Sequence, residues 1–267
     1  MNTSPNPLAP GSTRGVLVSA SDAGLCFGVN EGIRQARAHG WISGASLLVV
    51  APFAREAVKR LGADLGVQLA LSAEHDLLEL RPVTQSPSLL GGRGGFPVEA
   101  ADAAEHADPD EVRREFRSQI ERAMVLGVRP TFLSTHDDVV ARELSLFDVF
   151  LDLAEEYGLP IRHGYDFGPI GLDAAQLARE RGHFVAAATY NWTPDSTFTL
   201  EEIIATLPLG VSEIVVSPGE SGPEMDALLP DAAARAQTLA QLATTPPHEL
   251  ANRYDVSWLE WSQLKRP

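Results

Sequence analysis

Val16-Leu17-Val18-Ser19-Ala20-Ser21-Asp22-Ala23-Gly24 reads as a short buried strand that delivers a carboxylate where the chain turns into a loop. Thr131-Phe132-Leu133-Ser134-Thr135 does the same for His136-Asp137-Asp138. If both strands belong to one parallel sheet or barrel, its C-terminal edge brings a carboxylate and an imidazole together, ligand types that bind a divalent metal. That arrangement points to hydrolytic chemistry. Each residue also has a plainer reading. An Asp this close to a Gly is often a turn residue, and two acids after a strand are ordinary charges for the start of a helix. Their shared position at strand ends is what raises them.

Strand-like and helix-like segments alternate outward from these two stretches. Strands are expected at 16–18, 46–50, 65–71, 131–135, 161–162, 184–189 and 213–216. Helices are expected at 29–39, 52–61, 144–157 and 173–181, and in one segment capped by Thr199 with Glu202 at its third position. The clearest helix starts at Asp108-Pro109-Asp110-Glu111, because an Asp cap, a Pro at the first position and a Glu at the third all suit the unpaired amides there. Six or seven βα units in one domain favour a (β/α) barrel over an open doubly wound sheet, which remains the alternative. Residues 72–107 read as a long irregular loop expected to cover the site. Gly91-Gly92-Arg93-Gly94-Gly95 lies within it without the strand and helix of a phosphate loop, so it reads as a turn.

The 267 residues suffice for one large α/β domain, and the expected division is a tail at 1–15 followed by a barrel at 16–267. The tail is polar and rich in Pro and Ser, without the basic and apolar regions of a signal peptide. A formal charge of −15 argues against nucleic acid or an anionic membrane as partner. No apolar stretch is long enough to span a bilayer. Cys26 is the only cysteine, which excludes an internal disulfide or thiolate cluster and fits a cytoplasmic setting. It reads as a small buried hydrophobe.

Several stretches resemble one family in register. The segment from Val18 to Cys26, with Gly28-Val29-Asn30-Glu31-Gly32-Ile33 behind it, resembles the opening of the YdjC-like carbohydrate deacetylases (the ChbG/HpnK group), Asn/His-Ala-Asp-Asp-Phe/Ala-Gly followed by Val-Asn-x-Gly/Ala. Asp64-Leu65-Gly66-Val67-Gln68-Leu69-Ala70-Leu71-Ser72 is similar to Asp-Leu-Gly-x-His-Leu-Thr-Leu-Thr, and 43–50 to the Thr-Ser-x-Ser-Leu-Met-Val strand. Pro87-Ser88-Leu89 and Gly95-Phe96 resemble the Pro-Ser-Leu and Gly-x-Phe loop. Pro130-Thr131-Phe132-Leu133-Ser134-Thr135-His136 resembles Pro-Thr-His-Leu-Asp-Ser-His. Gly210-Val211-Ser212-Glu213-Ile214-Val215-Val216-Ser217-Pro218-Gly219 resembles Gly-Val-Thr-Glu-x-x-x-His-Pro-Gly.

The resemblance implies a single-domain, distorted TIM-like (β/α) barrel, a divalent metal such as Zn or Mg held by an Asp and two His, and hydrolysis of the N-acetyl group of an amino sugar. In that chemistry a carboxylate takes the proton of water and an imidazole protonates the leaving amine. Asp22 and His136 match two metal ligands; the third, a His in the family, is Gln68. The expected catalytic carboxylate is Ser21, the His of His-Pro-Gly is Ser217, and a family Asp is Ser134. Asp138 is a further metal-ligating candidate, and Ser88, Phe96 and Ser134 are the substrate-contacting candidates. His75, His163, Asp137 and Glu220 are loop groups able to compensate, each also readable as solvated surface. Gln offers a hard cation only a carbonyl oxygen, and serine near neutrality is no general base. The expectation is therefore an eroded deacetylase site or a non-catalytic sugar-binding protein on the same barrel. Its expected partner is a small acetylated amino sugar, with no nucleic acid and no membrane; self-association into a homo-oligomer stays open.

Overall fold

Apolar runs with period two and capped amphipathic segments fold here as successive β/α units. The computed structural model describes residue 8 and residues 12–163 and 170–264, so most of the 1–15 tail lies outside the described residues. The strands are β1 (Arg14–Ala23), β2 (Gly44–Leu48), β3 (Asp64–Leu69), β4 (Arg129–Thr135), β5 (Thr189–Asn191), β6 (Gly210–Val216) and β7 (Ser257–Trp258). The helices are α1 (Phe27–Ala38), α2 (Ala54–Leu61), α3 (Ala100–His106), α4 (Pro109–Val125), α5 (Leu144–Glu156), α6 (Gly171–Glu180), α7 (Leu200–Ala205), α8 (Pro223–Leu228), α9 (Ala232–Leu242) and α10 (Pro247–Tyr254). Strand order is β4-β3-β2-β1-β6-β5, with β7 against β1 and parallel pairing throughout. A parallel bridge from Leu133 to Ile161 extends the sheet beyond β4. This is a parallel α/β fold of the distorted TIM-like barrel type, its strand path open between Ile161 and β5 among the described residues. None of the described helices is long and apolar enough to cross a membrane.

Side-chain alternation sorts the interior into levels. In β1, Val16, Val18 and Ala20 join the large cluster under the helices, whereas Leu17 packs with Phe132, Val211, Leu259 and Trp261 in a second cluster. Phe132 and Trp261 stack at 4.5 Å. A Cβ at Gly66 would come within 2.3 Å of the Phe132 ring and one at Gly44 within 2.6 Å of Trp261, so these two strand glycines make room for the aromatic pair. Above the pair, the Trp261 indole donates to Ser19 Oγ (2.9 Å), and Ser19 donates to Glu213 Oε1 (2.5 Å).

The helix caps follow the sequence. Asp108 accepts from the amides of Asp110 and Glu111, both at 3.0 Å, but Glu111 turns away to bind the Ser88 amide and hydroxyl. Thr199 and Glu202 form a complete capping box. Three expectations are corrected. The 184–189 strand is displaced to β5: Val185 and Ala186 are only half-buried and Ala187 is exposed, so this apolar run lacks the second layer that burial on both faces requires. The 161–162 strand reduces to the single bridge at Ile161. The 72–107 loop contains α3, whose Ala100, Ala103 and Ala104 are buried.

Candidate active site

Asp22 reaches the site through a defect in β1. Strict alternation from Leu17 and Ser19 would point Ser21 into the barrel and Asp22 out of it. The register with β2 shifts between Ala20 and Ala23, and Asp22 adopts a positive φ of 69°. A bulge of this kind re-aims a side chain at the end of a strand. The following loop is clamped by the buried Asn30, whose Oδ1 accepts from the Gly24 amide (2.7 Å) while its Nδ2 donates to Glu56 (2.6 Å). Gln68 and His136 lie past the irregularity of the β3–β4 pair, which falls between Leu65 and Val67: Gln68 pairs in register with Ser134, two residues before His136.

These three residues meet. The Asp22 amide donates to Gln68 Oε1 (2.9 Å), which fixes the orientation of the amide group. Gln68 Nε2 is thereby turned toward Asp22 Oδ1 (3.0 Å) and His136 Nδ1 (3.3 Å). His136 Nδ1 lies 3.6 Å from Asp22 Oδ1, and its Nε2 lies 3.4 Å from Glu74 Oε2. The other oxygen, Asp22 Oδ2, accepts from Arg235 Nη2 at 2.9 Å. Arg235 Nε in turn donates to Asp231 Oδ2 at 2.8 Å.

Arg235 comes from α9 and is buried to 3 % exposure. Its depth is set by glycines: a Cβ at Gly32 would lie 2.4 Å from Gly219 Cα, so α1 and the loop after β6 touch backbone to backbone. The Gly219 amide then donates to the Arg235 carbonyl (3.0 Å), fixing α9 over the strand ends. Burial opposes ionisation of Asp22, but the His136 imidazole and the Arg235 charge outweigh it and hold the carboxyl well below the usual range. Burial likewise opposes a charge on His136, yet Asp22, Glu74 and Asp137 together move its pKa upward. Burial first, then the Asp22 charge, push Glu74 up to about 7. Glu74 also carries a positive φ of 60°, a conformation costly for a side-chain-bearing residue and frequent at functional sites.

Other candidates are placed differently. Ser21 is buried, and Ser217 is half-buried one residue past Val216, which pairs with Ala20, so it lies at the same edge. Ser134 is buried with a hydroxyl that has no hydrogen-bond partner. Ser88 is committed to Glu111 and to the Asp108 amide, and Phe96 is buried in the large core cluster, so both stabilise the loop they sit on. That loop supplies Glu74, His75 and Glu99 to a cleft of about 460 Å³ whose far wall includes Asp226 and Leu229. Residues 91–95 close on themselves through the Gly91 amide and Gly95 carbonyl (2.8 Å). Asp137 accepts from Ser72 Oγ (3.4 Å), and Glu220 pairs on the surface with Gln35 (2.9 Å). Cys26 is fully buried ahead of α1.

Asp138 lies with Arg162, His163 and Glu213 around a small interior cavity. Burial, then the Arg162 charge, lower the His163 pKa from 6.5 to about 4. A depressed histidine contributes stability that is complete above pH 6.5 and is lost as pH falls through 4, roughly 3 kcal/mol at about 1.4 kcal/mol per pH unit. His163→Phe, beside the Phe147 ring at 4.8 Å, is expected to flatten this acid limb in urea denaturation between pH 7 and 4. An unchanged limb would assign the acid sensitivity elsewhere.

Glu74 and Arg235 are the residues that sequence reasoning missed. Asp231 and Arg235 stand four apart in an alanine-rich stretch, a spacing that ordinarily marks a surface ion pair. Nothing in Glu74-His75-Asp76 separates it from a solvated acidic turn. The donor set does not fit a divalent ion: both Asp22 oxygens are engaged, and the Gln68 oxygen faces an amide. Among the described residues no group of three or more His, Cys, Asp or Glu side chains is arranged to hold a metal.

Comparison with known proteins agrees with this fold. A carbohydrate deacetylase of Thermoanaerobacter pseudethanolicus is 29 % identical over 209 residues, covering 76 % of this chain and 80 % of that protein. A carbohydrate deacetylase of Brevibacillus brevis is 34 % identical over 160 residues, 57 % of this chain and 60 % of that one. A crystal structure from Enterococcus faecalis V583, described as a cellobiose-phosphate cleavage protein, superposes with a TM-score of 0.81 at 22 % identity over 96 % of this chain and 100 % of that one, which speaks for the fold. The family model described as YdjC-like protein matches residues 15–262, and the chain belongs to that family.

Proposed function

We propose that this chain binds an N-acetylated amino sugar in the pocket around Asp22, Gln68, His136 and Arg235, with hydrolysis of the acetamide suppressed by the residues at 21, 68 and 217. The curated relatives named carbohydrate deacetylases support the ligand class. The observation that carries the suppression is the fixed amide of Gln68, which presents an N–H donor to Asp22 and His136 where a metal site needs an acceptor. Ser21 supplies no carboxylate for proton abstraction, and a missing acid or base typically costs ~10²–10⁴-fold in rate.

A second reading rests on Glu74, which lines the cleft and whose carboxylate lies 3.4 Å from His136 Nε2. There it is placed to accept a proton from water with His136 as its partner, which would give turnover by a different base. Acetate release from N-acetylglucosamine oligomers, measured beside calorimetric binding of the same oligomers, separates the two. Binding with acetate at background is the expected result. Robust release that His136→Ala and Glu74→Gln both abolish would establish the second reading and overturn the first.

A further inference from the structure

Three nitrogens of this site are without a hydrogen-bond partner among the described residues: Arg235 Nη1, on the guanidinium held by Asp22 and Asp231, and His136 Nε2 and His75 Nε2 beside the Glu74 carboxylate. The two imidazoles lie 3.4 and 3.8 Å from Glu74 Oε2, outside good hydrogen-bond geometry. All three parent residues are at least nine-tenths buried, at 3, 1 and 8 % exposure. Buried polar atoms without a partner are rare and call for an explanation, and Glu74 and His75, which meet at one of these nitrogens, line the cleft. Asp22, meanwhile, has both oxygens satisfied by Gln68 and Arg235.

We infer that Arg235 is the resident cation of this pocket: it neutralises Asp22 and offers Nη1, together with His136 Nε2, to an acceptor oxygen of the ligand, so that recognition needs no divalent ion. The acceptor is an uncharged carbonyl oxygen. Asp22 and Asp231 already flank the guanidinium and Glu74 stands beside His136, so a full anion would be repelled, whereas an amide oxygen takes two N–H donors at little electrostatic cost. Arginine suits the task because its planar fork can hold Asp231 and Asp22 through Nε and Nη2 and still present Nη1. The acetamide as source of that oxygen rests on the function proposed above; the assignment of the cation does not.

Two measurements test it. Zinc uptake by calorimetry is compared for the unmodified protein, Gln68→His, and Gln68→His with Arg235→Met. Stoichiometric zinc is expected only in the double variant, because completing the ligand set with histidine does not free Asp22 while the guanidinium remains. Binding of an N-acetylglucosamine oligomer is then measured with and without a chelator for the unmodified protein and for Arg235→Lys, which keeps the charge but not the fork. The chelator is expected to change nothing, and Arg235→Lys to weaken binding ~10-fold, the worth of one hydrogen bond in a buried site. Stoichiometric zinc in the unmodified protein or in Gln68→His alone, sugar binding abolished by the chelator, or unchanged affinity in Arg235→Lys would each overturn the assignment. The expected zinc pattern with no sugar binding at all would uphold the resident cation and sink the sugar reading.

Discussion

Glu213→Ala is expected to cost about 3–5 kcal/mol of folding stability at pH 7, because it strands an arginine that is only 12 % exposed. Glu213 is 2 % exposed inside the barrel, accepts from Ser19 Oγ at 2.5 Å and faces Arg162 Nε at 3.0 Å. Removing the carboxylate leaves Arg162 the neighbouring Asp138 as counter-charge among the described residues and Ser19 without its acceptor. Glu213→Gln keeps the volume and an acceptor oxygen, so a smaller loss is expected. Burial, partly offset by Arg162 and Ser19, raises the Glu213 pKa above that of an ordinary glutamate. Its contribution is therefore complete below the ordinary value and declines as pH rises through the raised one, a slope that Glu213→Gln removes. Urea denaturation of the three proteins across this range measures both effects. A Glu213→Ala loss below about 1 kcal/mol would show that the barrel interior tolerates an unpaired arginine.

Trp261→Ala is expected to be comparably severe, about 3–5 kcal/mol, through a different cause. The indole is 1 % exposed, stacks on Phe132 at 4.5 Å, meets Phe184 edge-on at 6.1 Å and occupies the space left by the bare Gly44 backbone. Truncation opens a void at the centre of the barrel that the rigid β1–β2 backbone cannot close, and it removes the donor that binds Ser19 Oγ. Trp261→Phe retains much of the stacking and loses the hydrogen bond, so an intermediate value is expected. Thermal and urea denaturation, with near-ultraviolet circular dichroism to report aromatic packing, give the comparison. Equal stability of Trp261→Phe and Trp261→Ala would place the whole effect on the Ser19 hydrogen bond.

The sequence by itself determined what depends on local pattern. Buried strands show as apolar runs, helix starts show in Asp108 and Thr199, and βα alternation limits the fold to parallel architectures, so the ends carrying Asp22, Gln68 and His136 had to fall on one edge. Tertiary structure decided what depends on residues far apart in the chain. Sequence pattern assigns no element beyond 213–216, yet α9 carries Arg235 to Asp22, 213 positions away, because Gly32 and Gly219 allow a backbone contact no single stretch reveals. The bulge that turns Asp22 inward has no sequence signature beyond an Asp that tolerates positive φ. Glu74 is set apart only by what surrounds it, namely two imidazoles and a buried ion pair. A local pattern fixes which face a side chain takes along its own element, but the charges and donors it meets there are supplied by other elements, and those meetings exist only once the barrel is assembled.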